Sequence, residues 1–517
     1  MGYYFISIGG SGARVLEALA HLCVAGLLPN SEGKGNFYAM AIDPDQKNGN
    51  LKRTHSLLNH IKEFQNINVG KETPLLKTHL ELVDPSFVWS PTPRGQNLDT
   101  IISYHNFKNT PIGKLYKSLY TKAERDEALD EGFRGHPSIG AAVMAKKTGT
   151  AANVTAEPAW QKLIGTVTTD VKVNGSAQIF FAGSIFGGTG AAGLPTIARI
   201  LREEFVTLGL IDKVRIGGAL LLPYFAFTPT EKEKKNIRLF ASSDNFLTNT
   251  KAALHYYAHT GGSGYDSIYF IGDETMAQMP NFSVGAGSQC NDAHVVDFFA
   301  AMAAVHFYQK GTKKPCYYIS RNKENAFQWC DVPDVIMDSK ENPLVSVQKR
   351  FVQFTRFIFA YLHIVKPNFA DLESGDLKET DYRWYVDFLK GKAKVTDDDV
   401  RNFEEYSQSF VVWLEQLAQS VGTRSFEMIN PKSFSFDNST AYINKNHTNV
   451  KINTEIFETL GYDNSKVTIE EVKKRLNASK GWIEKLFSGR KKHNDEFGEQ
   501  FGFFLRKLYD SCTVLDK

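Results

Sequence analysis

Residues 178–193 read QIFFAGSIFGGTGAAG, and this stretch decides what kind of fold the chain can adopt. Its first part, 178–182, is mostly apolar and predicts a buried strand. The glycine-rich part, 183–193, predicts a loop, and residues 194–205 have the apolar spacing of a helix with its charges near the end. Glycines between a strand and a helix let the backbone turn sharply and present N–H groups to an anion. The stretch is therefore a candidate phosphate-binding turn.

A second arrangement of the same kind opens the chain. Residues 3–8 are a β-rich run, Gly9-Gly10-Ser11-Gly12 predicts a turn, and residues 13–25 predict a helix. The turn resembles the Rossmann fingerprint GxGxxG, but the third glycine of that pattern would fall at Val15. Taken alone, the turn is a weak signal, because a tight bend that binds no ligand is the alternative. Together, the two turns predict neighbouring anion sites at one edge of a parallel sheet, with one phosphate chain held between them.

The motif search also excludes one large class of nucleotide-binding proteins. No GxxxxGK[ST] sequence occurs in the chain, which removes the P-loop NTPases. Phosphate would then be bound by backbone N–H groups and by the Thr189 hydroxyl, without a dedicated lysine.

Composition limits the remaining possibilities. The chain has 517 residues, of which 42% are hydrophobic and 23% charged, so it can bury a large core. Its 60 basic and 57 acidic residues give a net charge of only +3, and we therefore expect no nucleic-acid and no membrane partner. The five cysteines are odd in number and widely spaced, which favours reduced thiols and a cytoplasmic location.

The order of predicted elements indicates an α/β protein with a second, helical part. The first 220 residues alternate between strand-like and helix-like segments. Further strands are predicted at 37–42, 214–222 and 265–271, and a buried apolar helix at 293–308. From about residue 335 the patterns become helical, at 344–365, 400–421, 469–486 and 497–508. We therefore predict two domains, 1–335 and 336–517.

Residues 186–193, FGGTGAAG, are similar to the glycine signature GGGTGSG or GGGTGTG of the tubulin/FtsZ superfamily. The resemblance extends in order along residues 1–335. Its other segments are 9–14 as the first phosphate loop, 43–45 as the second, 132–140 as the third, 214–223 as the strand before the ribose loop, 269–273 as the strand leading to the base, and 291–302 as the central helix. This resemblance implies a tubulin-like GTPase domain, a parallel Rossmann-like sheet with flanking helices and a central helix, followed by a mostly helical C-terminal domain.

The resemblance further implies that the chain binds GTP or GDP with Mg²⁺. The residues expected to contact the nucleotide are Gly9, Gly10, Ser11, Gly12, Ala13, Asp43, Asp45, Gly135, His136, Gly187, Gly188, Thr189, Gly190, Ala191, Asp273, Asn291, His294 and Asp297. Among them, Asp43 and Asp45 can hold magnesium-bound water or ribose. Asn291, His294 and Asp297 are spaced to share one side of a helix and read guanine. His294 and Asp297 are equally compatible with ordinary polar residues near a helix N-cap.

Hydrolysis in this superfamily needs an acidic loop, NxDxx[DE], inserted by one subunit into the nucleotide site of the next. No such string follows the central helix, and the candidates for the catalytic acid are Asp331 and Asp334 in the sequence WCDVPD. If neither acts, the protein binds nucleotide without fast turnover or depends on a partner for the missing group.

Three functions follow from these observations. The leading hypothesis is a prokaryotic, cytoplasmic, tubulin-like GTP-binding protein that assembles head to tail into filaments, with GTP hydrolysis coupled to assembly. The alternative is a non-polymerising GTP-binding sensor or scaffold whose helical domain binds a partner protein in a multi-gene system, such as plasmid segregation or phage defence. A Rossmann-type NAD(P) enzyme is disfavoured by the paired glycine turns and by the lack of residues suited to hydride transfer.

Overall fold

A parallel β-sheet forms the centre of the molecule. The computed structural model describes residues 2–29, 36–70, 73–92, 94–133, 135–148, 157–227, 243–260, 262, 264–273, 276–278, 285–310, 316–319, 335–336, 345–419, 434–436, 450–452, 467–478 and 500–513. The sheet consists of β1 (Gly2–Ile8), β2 (Asn36–Ile42), β3 (His79–Leu82), β4 (Val88–Trp89), β5 (Ala177–Ser184), β6 (Val214–Leu221), β7 (Ser267–Ile271) and β8 (Cys316–Ile319).

The strand order is β8-β7-β6-β5-β1-β2-β3, with β4 also pairing with β2, and every pair is parallel. Strands β1 and β5 are buried along their whole length, because helices cover both faces of the sheet. The order reverses direction at β1, as in doubly wound nucleotide-binding folds. The predicted α/β class is confirmed.

Helices flank the sheet and also form most of the region after residue 346. They are α1 (Gly9–Val24), α2 (Gly49–Phe64), α3 (Leu98–Ile101), α4 (Pro111–Leu119), α5 (Lys122–Asp126), α6 (Pro137–Thr148), α7 (Pro158–Asn174), α8 (Gly188–Thr207), α9 (Phe246–His259), α10 (Val295–Lys310), α11 (Val347–Ala360), α12 (Lys366–Ser374), α13 (Asp398–Gln419), α14 (Ile469–Leu476) and α15 (Gln500–Ser511). Within the described ranges, none of the helices is long and apolar enough to cross a membrane.

Shorter elements complete the fold. The 3₁₀ turns are Tyr104–Asn106, Ile211–Lys213, Ser243–Asn245, Ala286–Ser288 and Glu379–Asp381, and the π-helical turns are Tyr361–Val365 and Tyr385–Leu389. Three small strand pairs join Phe225–Ala226 to Ala277–Gln278, Val335–Ile336 to Val345–Ser346, and Phe434–Phe436 to Val450–Ile452.

Helices α1 and α8 begin earlier than the sequence predicted. The supposed turn at residues 9–12 is the first turn of α1, and much of the supposed loop at 183–193 belongs to β5 and α8. A Cβ atom at Gly12 would lie 2.4 Å from the Ala182 carbonyl oxygen, and one at Gly190 would lie 2.2 Å from that of Ser184. These glycines therefore allow helix and strand to approach closely, and Gly9, at φ +74°, is the one that needs left-handed backbone.

The C-terminal helices pack directly against the helices that cover one face of the sheet. The Trp413 ring of α13 lies 4.7 Å from the His21 ring of α1 and 6.1 Å from the Phe298 ring of α10. The backbone N–H of Ala293 donates to the Gln416 side chain at 2.9 Å. Phe298 and Trp413 belong to one hydrophobic cluster. A division of the chain near residue 335 stays a prediction, but the core on this face is continuous across it.

A buried histidine makes this packing sensitive to pH. His21 is fully buried, and burial, with the charge of Arg53 nearby, lowers its pKa to about 3. In the unfolded chain the pKa is about 6.5. Because the unfolded chain binds a proton at His21 that the folded chain excludes, stability is complete above about pH 6.5 and is lost progressively as the pH falls towards 3.

We expect His21→Leu to flatten the dependence of the free energy of unfolding on pH. Below about pH 6, the variant should reduce the change of this free energy by up to about 1.4 kcal/mol per pH unit. Urea unfolding at a series of pH values measures the slope. His255→Leu, which replaces an exposed histidine of α9, is the matched control. If His21→Leu leaves the dependence of the free energy of unfolding on pH unchanged, His21 is not its source.

Candidate functional site

Three neighbouring strands deliver their following segments to one edge of the sheet. Strand β1 lies between β2 and β5, and all three are parallel. Helix α1, the segment after β2 and the turn into α8 therefore begin side by side at the carboxyl ends of these strands. A Cβ atom at Gly9 would lie 3.5 Å from the Thr189 Cβ, so the two glycine turns are in contact. The predicted juxtaposition of two glycine-rich turns is confirmed.

The first turns of α1 and α8 have no side-chain caps. The residues that precede them, Ile8 and Gly187, offer no side-chain hydrogen bond to the helix N–H groups. Gly10, Gly187 and Thr189 are only half-buried and lie on the accessible side of this edge. Uncapped N–H groups at the positive end of a helix favour an anion. Of the other predicted contacts here, Ser11, Gly12, Ala13, Gly188 and Gly190 are buried, whereas Ala191 is half-buried.

The third predicted loop meets the start of α8. A Cβ atom at Gly188 would lie 3.3 Å from the backbone nitrogens of both Gly135 and His136. The His136 ring is 3.3 Å from the carboxylate of Glu124 in the first turn of α5. The structure therefore brings this loop, as the sequence predicted, to the same edge as the two glycine turns.

The two acids after β2 are buried and turned towards the backbone. Asp43 and Asp45 are 3% and 2% exposed. The Asp43 Oδ1 accepts from the Asp45 N–H at 2.9 Å, and the Asp45 carboxylate accepts from the N–H groups of Lys47 and Ala286. Burial is the main cause that raises the pKa of Asp43 to about 8.

These contacts do not fit a magnesium site built from protein ligands. Among the residues described, no three His, Cys, Asp or Glu side chains are grouped around a possible metal position. The Asp45 carboxylate already accepts two backbone N–H groups, which leaves it fewer lone pairs for a hard cation. The predicted contact of Asp43 and Asp45 with magnesium-bound water or ribose stays a prediction.

A polar wall connects α2 to the segment that precedes α10. The Asn291 N–H donates to the Asn50 Oδ1 at 2.8 Å, and the Asn50 side chain donates back to the Asn291 Oδ1 at 3.3 Å. Asn48 donates to the Gln289 side chain at 2.7 Å. A Cβ atom at Gly10 would lie 3.0 Å from the Asn50 Nδ2, so this wall borders the first glycine turn. Asn48 and Asn50 were not predicted as site residues, although the run KNGN at 47–50 is an N-cap signal.

The prediction that Asn291, His294 and Asp297 share one face of a helix is wrong for the first two residues. Helix α10 begins at Val295, so Asn291 and His294 lie before it. His294 is 2% exposed and Asp297 is fully buried, which leaves neither side chain open to a base. Neighbouring Asp292 is exposed, yet burial of its surroundings raises the pKa of its carboxyl group against the charges of Arg53 and Arg14.

The remaining predicted site residues are not drawn into this group. Asp273 is buried at the carboxyl end of β7, two strands away from β5. The candidate catalytic acids, Asp331 and Asp334, lie outside the described residues. Their role stays a prediction.

No protein-family model matches the sequence, and no curated protein matches it significantly. Among solved structures, the chain is similar to CetZ from Methanosaeta thermophila strain DSM 6194, with 12% sequence identity and a TM-score of 0.23. The similarity covers 53% of this chain and 46% of the CetZ chain, so less than half of that protein is matched. A likeness of this size carries no conclusion about activity, ligand or assembly.

The close approach of α8 to β5 gives a direct test of the site's construction. Gly190→Ala would place a methyl group against the Ser184 carbonyl, and we expect it to lower the free energy of unfolding by about 1–3 kcal/mol. Gly165 lies in the exposed middle of α7 with no atom within 4 Å of an added Cβ, so Gly165→Ala should raise stability by about 0.5–1 kcal/mol. Thermal unfolding compares the two. Equal effects of the two variants would contradict the close packing.

Proposed function

We propose that this chain is a guanine-nucleotide-binding, tubulin-like protein that assembles head to tail, with GTP hydrolysis coupled to assembly. The observation that carries the proposal is the meeting, at one sheet edge, of two uncapped glycine-opened helices on adjacent parallel strands. One such helix start is common in proteins. Two in contact, with a third loop against the second, match a chain of several phosphates rather than a single anion.

The phosphates would be bound by backbone rather than by charged side chains. The first turns of α1 and α8 lie in contact, so their N–H groups would share one phosphate chain, and the half-buried Thr189 would add a hydroxyl. The third loop would close the far side through the Gly135 N–H, because the His136 N–H already donates to the Phe133 carbonyl at 2.8 Å. Magnesium, which the described side chains do not support, would arrive with the phosphates.

The base would lie against the polar wall next to the first glycine turn. Asn291, half-buried and held by Asn50, and the exposed Asp292 are polar side chains directly before α10 that remain open to a ligand. A carboxylate can accept both the N1–H and the amino group of guanine, whereas adenine offers it an acceptor at N1. The preference for guanine over adenine is therefore assigned to Asp292 in place of Asp297.

An exposed apolar stripe supports assembly at this edge. Ile112, Leu115 and Leu119 lie on one side of α4 and are 67%, 59% and 64% exposed. The Tyr120 hydroxyl, directly after α4, donates to the Ser138 carbonyl of the third loop at 3.1 Å. Clustered exposed aliphatic side chains mark interaction surfaces in soluble proteins. A neighbouring subunit that covers the stripe would also reach the nucleotide, and its Asp331 or Asp334 is the proposed source of the catalytic acid.

The alternative function, a nucleotide sensor that does not polymerise, is favoured by a different observation. Helix α13 packs on both α1 and α10, the two helices that border the proposed phosphate and base positions. A change at the nucleotide would therefore reach the C-terminal helices without any contact between subunits.

Nucleotide binding is tested by adding one negative charge at either end of α8. Thr189→Glu places a carboxylate at the helix N-terminus, where it stabilises the helix but repels phosphate. We expect it to weaken GTP binding in calorimetry at least about tenfold, equivalent to about 1.4 kcal/mol. Thr207→Glu adds the same charge at the far end, about 30 Å away, and should leave the affinity unchanged. Equal affinities of both variants for GTP would refute the phosphate assignment.

Assembly is tested on the α4 stripe. Leu115→Glu with Leu119→Glu should abolish the GTP-dependent rise in light scattering and the increase of hydrolysis per subunit with protein concentration, because the charges oppose apolar docking. GTP affinity of the monomer should be retained. The control is Leu254→Glu on α9, where the leucine is 38% exposed. If the wild-type protein binds GTP but its turnover does not depend on concentration, the sensor function replaces the assembly-coupled one.

A further inference from the structure

A buried ionic network lies directly behind the proposed nucleotide site. The Arg14 guanidinium of α1 donates from Nε to the Asp297 Oδ2 at 2.9 Å and from Nη2 to the Tyr224 hydroxyl. The Tyr224 hydroxyl donates to the Asp297 Oδ1 at 2.7 Å. Arg14 is 1% exposed, and Tyr224 and Asp297 are fully buried. The three side chains thus form a closed triangle without access to water.

Each member of the triangle belongs to a different segment at the sheet edge. Arg14 lies one turn into α1, behind the first glycine turn, and Ser11 of that turn lies near the Tyr224 hydroxyl. Tyr224 follows β6. Asp297 lies in the first turn of α10 and accepts the His294 N–H at 3.0 Å. The network therefore joins the phosphate side of the site to the chain that leads from Asn291 and Asp292 into α10.

Stability alone does not explain such a network. Removing a charge from water is unfavourable, and replacing a buried ion pair by apolar side chains of similar volume is often neutral or stabilising. What the triangle supplies is geometry, because three hydrogen bonds with fixed directions hold three segments at one separation. The separation that they fix is the one between the phosphate-binding turn and the base-side wall.

We infer that Arg14 is a positioning residue that sets the span between the phosphate and base subsites. The inference rests on the proposed nucleotide binding. It adds that Arg14 holds the two subsites at the spacing that one nucleotide requires. A ligand that occupies both subsites gains affinity over one that occupies a single subsite only when their spacing is held in advance. Arg14 touches neither phosphate nor base and acts through Tyr224 and Asp297.

The test compares a ligand that fills both subsites with one that fills only the phosphate subsite. GTP and tripolyphosphate are titrated into the wild-type protein and into Arg14→Met with Asp297→Leu, which removes both charges and leaves none buried alone. We expect the paired variant to fold and to bind GTP at least about tenfold more weakly, with tripolyphosphate affinity within about threefold of wild type. Asp297→Leu with Arg14→Lys, which leaves a lone buried cation, should instead unfold at lower temperature.

Tyr224→Phe keeps the experiment decisive if the paired variant does not fold. It removes one hydroxyl from the triangle and should reduce GTP affinity, by a smaller factor, with tripolyphosphate affinity again retained. Equal losses for GTP and tripolyphosphate would show damage to the phosphate turn and overturn the positioning role, as would unchanged GTP affinity. Wild-type protein that binds neither probe would refute nucleotide binding itself, a result distinct from either of these.

Discussion

The parallel pairing of β1 with β5 is the constraint on which the rest of the structure depends. It places α1 and α8 next to each other with their N-termini at the same edge, so that two positive helix ends converge. Because Gly12 and Gly190 carry no side chain, α1 and α8 can both lie tightly against β5. Without that close approach the two first turns would diverge, and the third loop at Gly135 could not reach α8. The candidate site is thus a consequence of strand order and helix–strand distance.

Much of this arrangement could be predicted from the sequence, because strand order and glycine turns are local patterns. The run 178–193 and the matching run at the N-terminus sufficed to place two anion-binding turns side by side. The starts of α1 and α8 could not be predicted, since glycine breaks helices in isolation and only packing against β1 and β5 makes these turns helical. The burial of Asp297 was equally hidden, because its partners Arg14 and Tyr224 are 283 and 73 residues away in the chain.

Two sets of buried side chains hold α1 in place, one within the site and one against the C-terminal helices. The triangle of Arg14, Tyr224 and Asp297 fixes the site internally, whereas His21 and Trp413 join α1 to the C-terminal helices through aromatic packing. Both contacts involve α1, which also carries the first glycine turn. One helix therefore links the proposed phosphate position, the base-side wall and the C-terminal region. An assembling protein and a sensor would each use this link, since either must convert nucleotide occupancy into a change elsewhere.

The most direct measurement is hydrogen–deuterium exchange of the full-length chain with and without GTP. If backbone N–H groups of two helix starts hold the phosphates, GTP must slow exchange in peptides that cover residues 9–14 and 186–192 together, with a smaller effect around 132–140. Tripolyphosphate should slow the same peptides, whereas guanosine should not. Protection of only one of the two helix starts, or protection confined to other parts of the chain while GTP binds, would contradict the account.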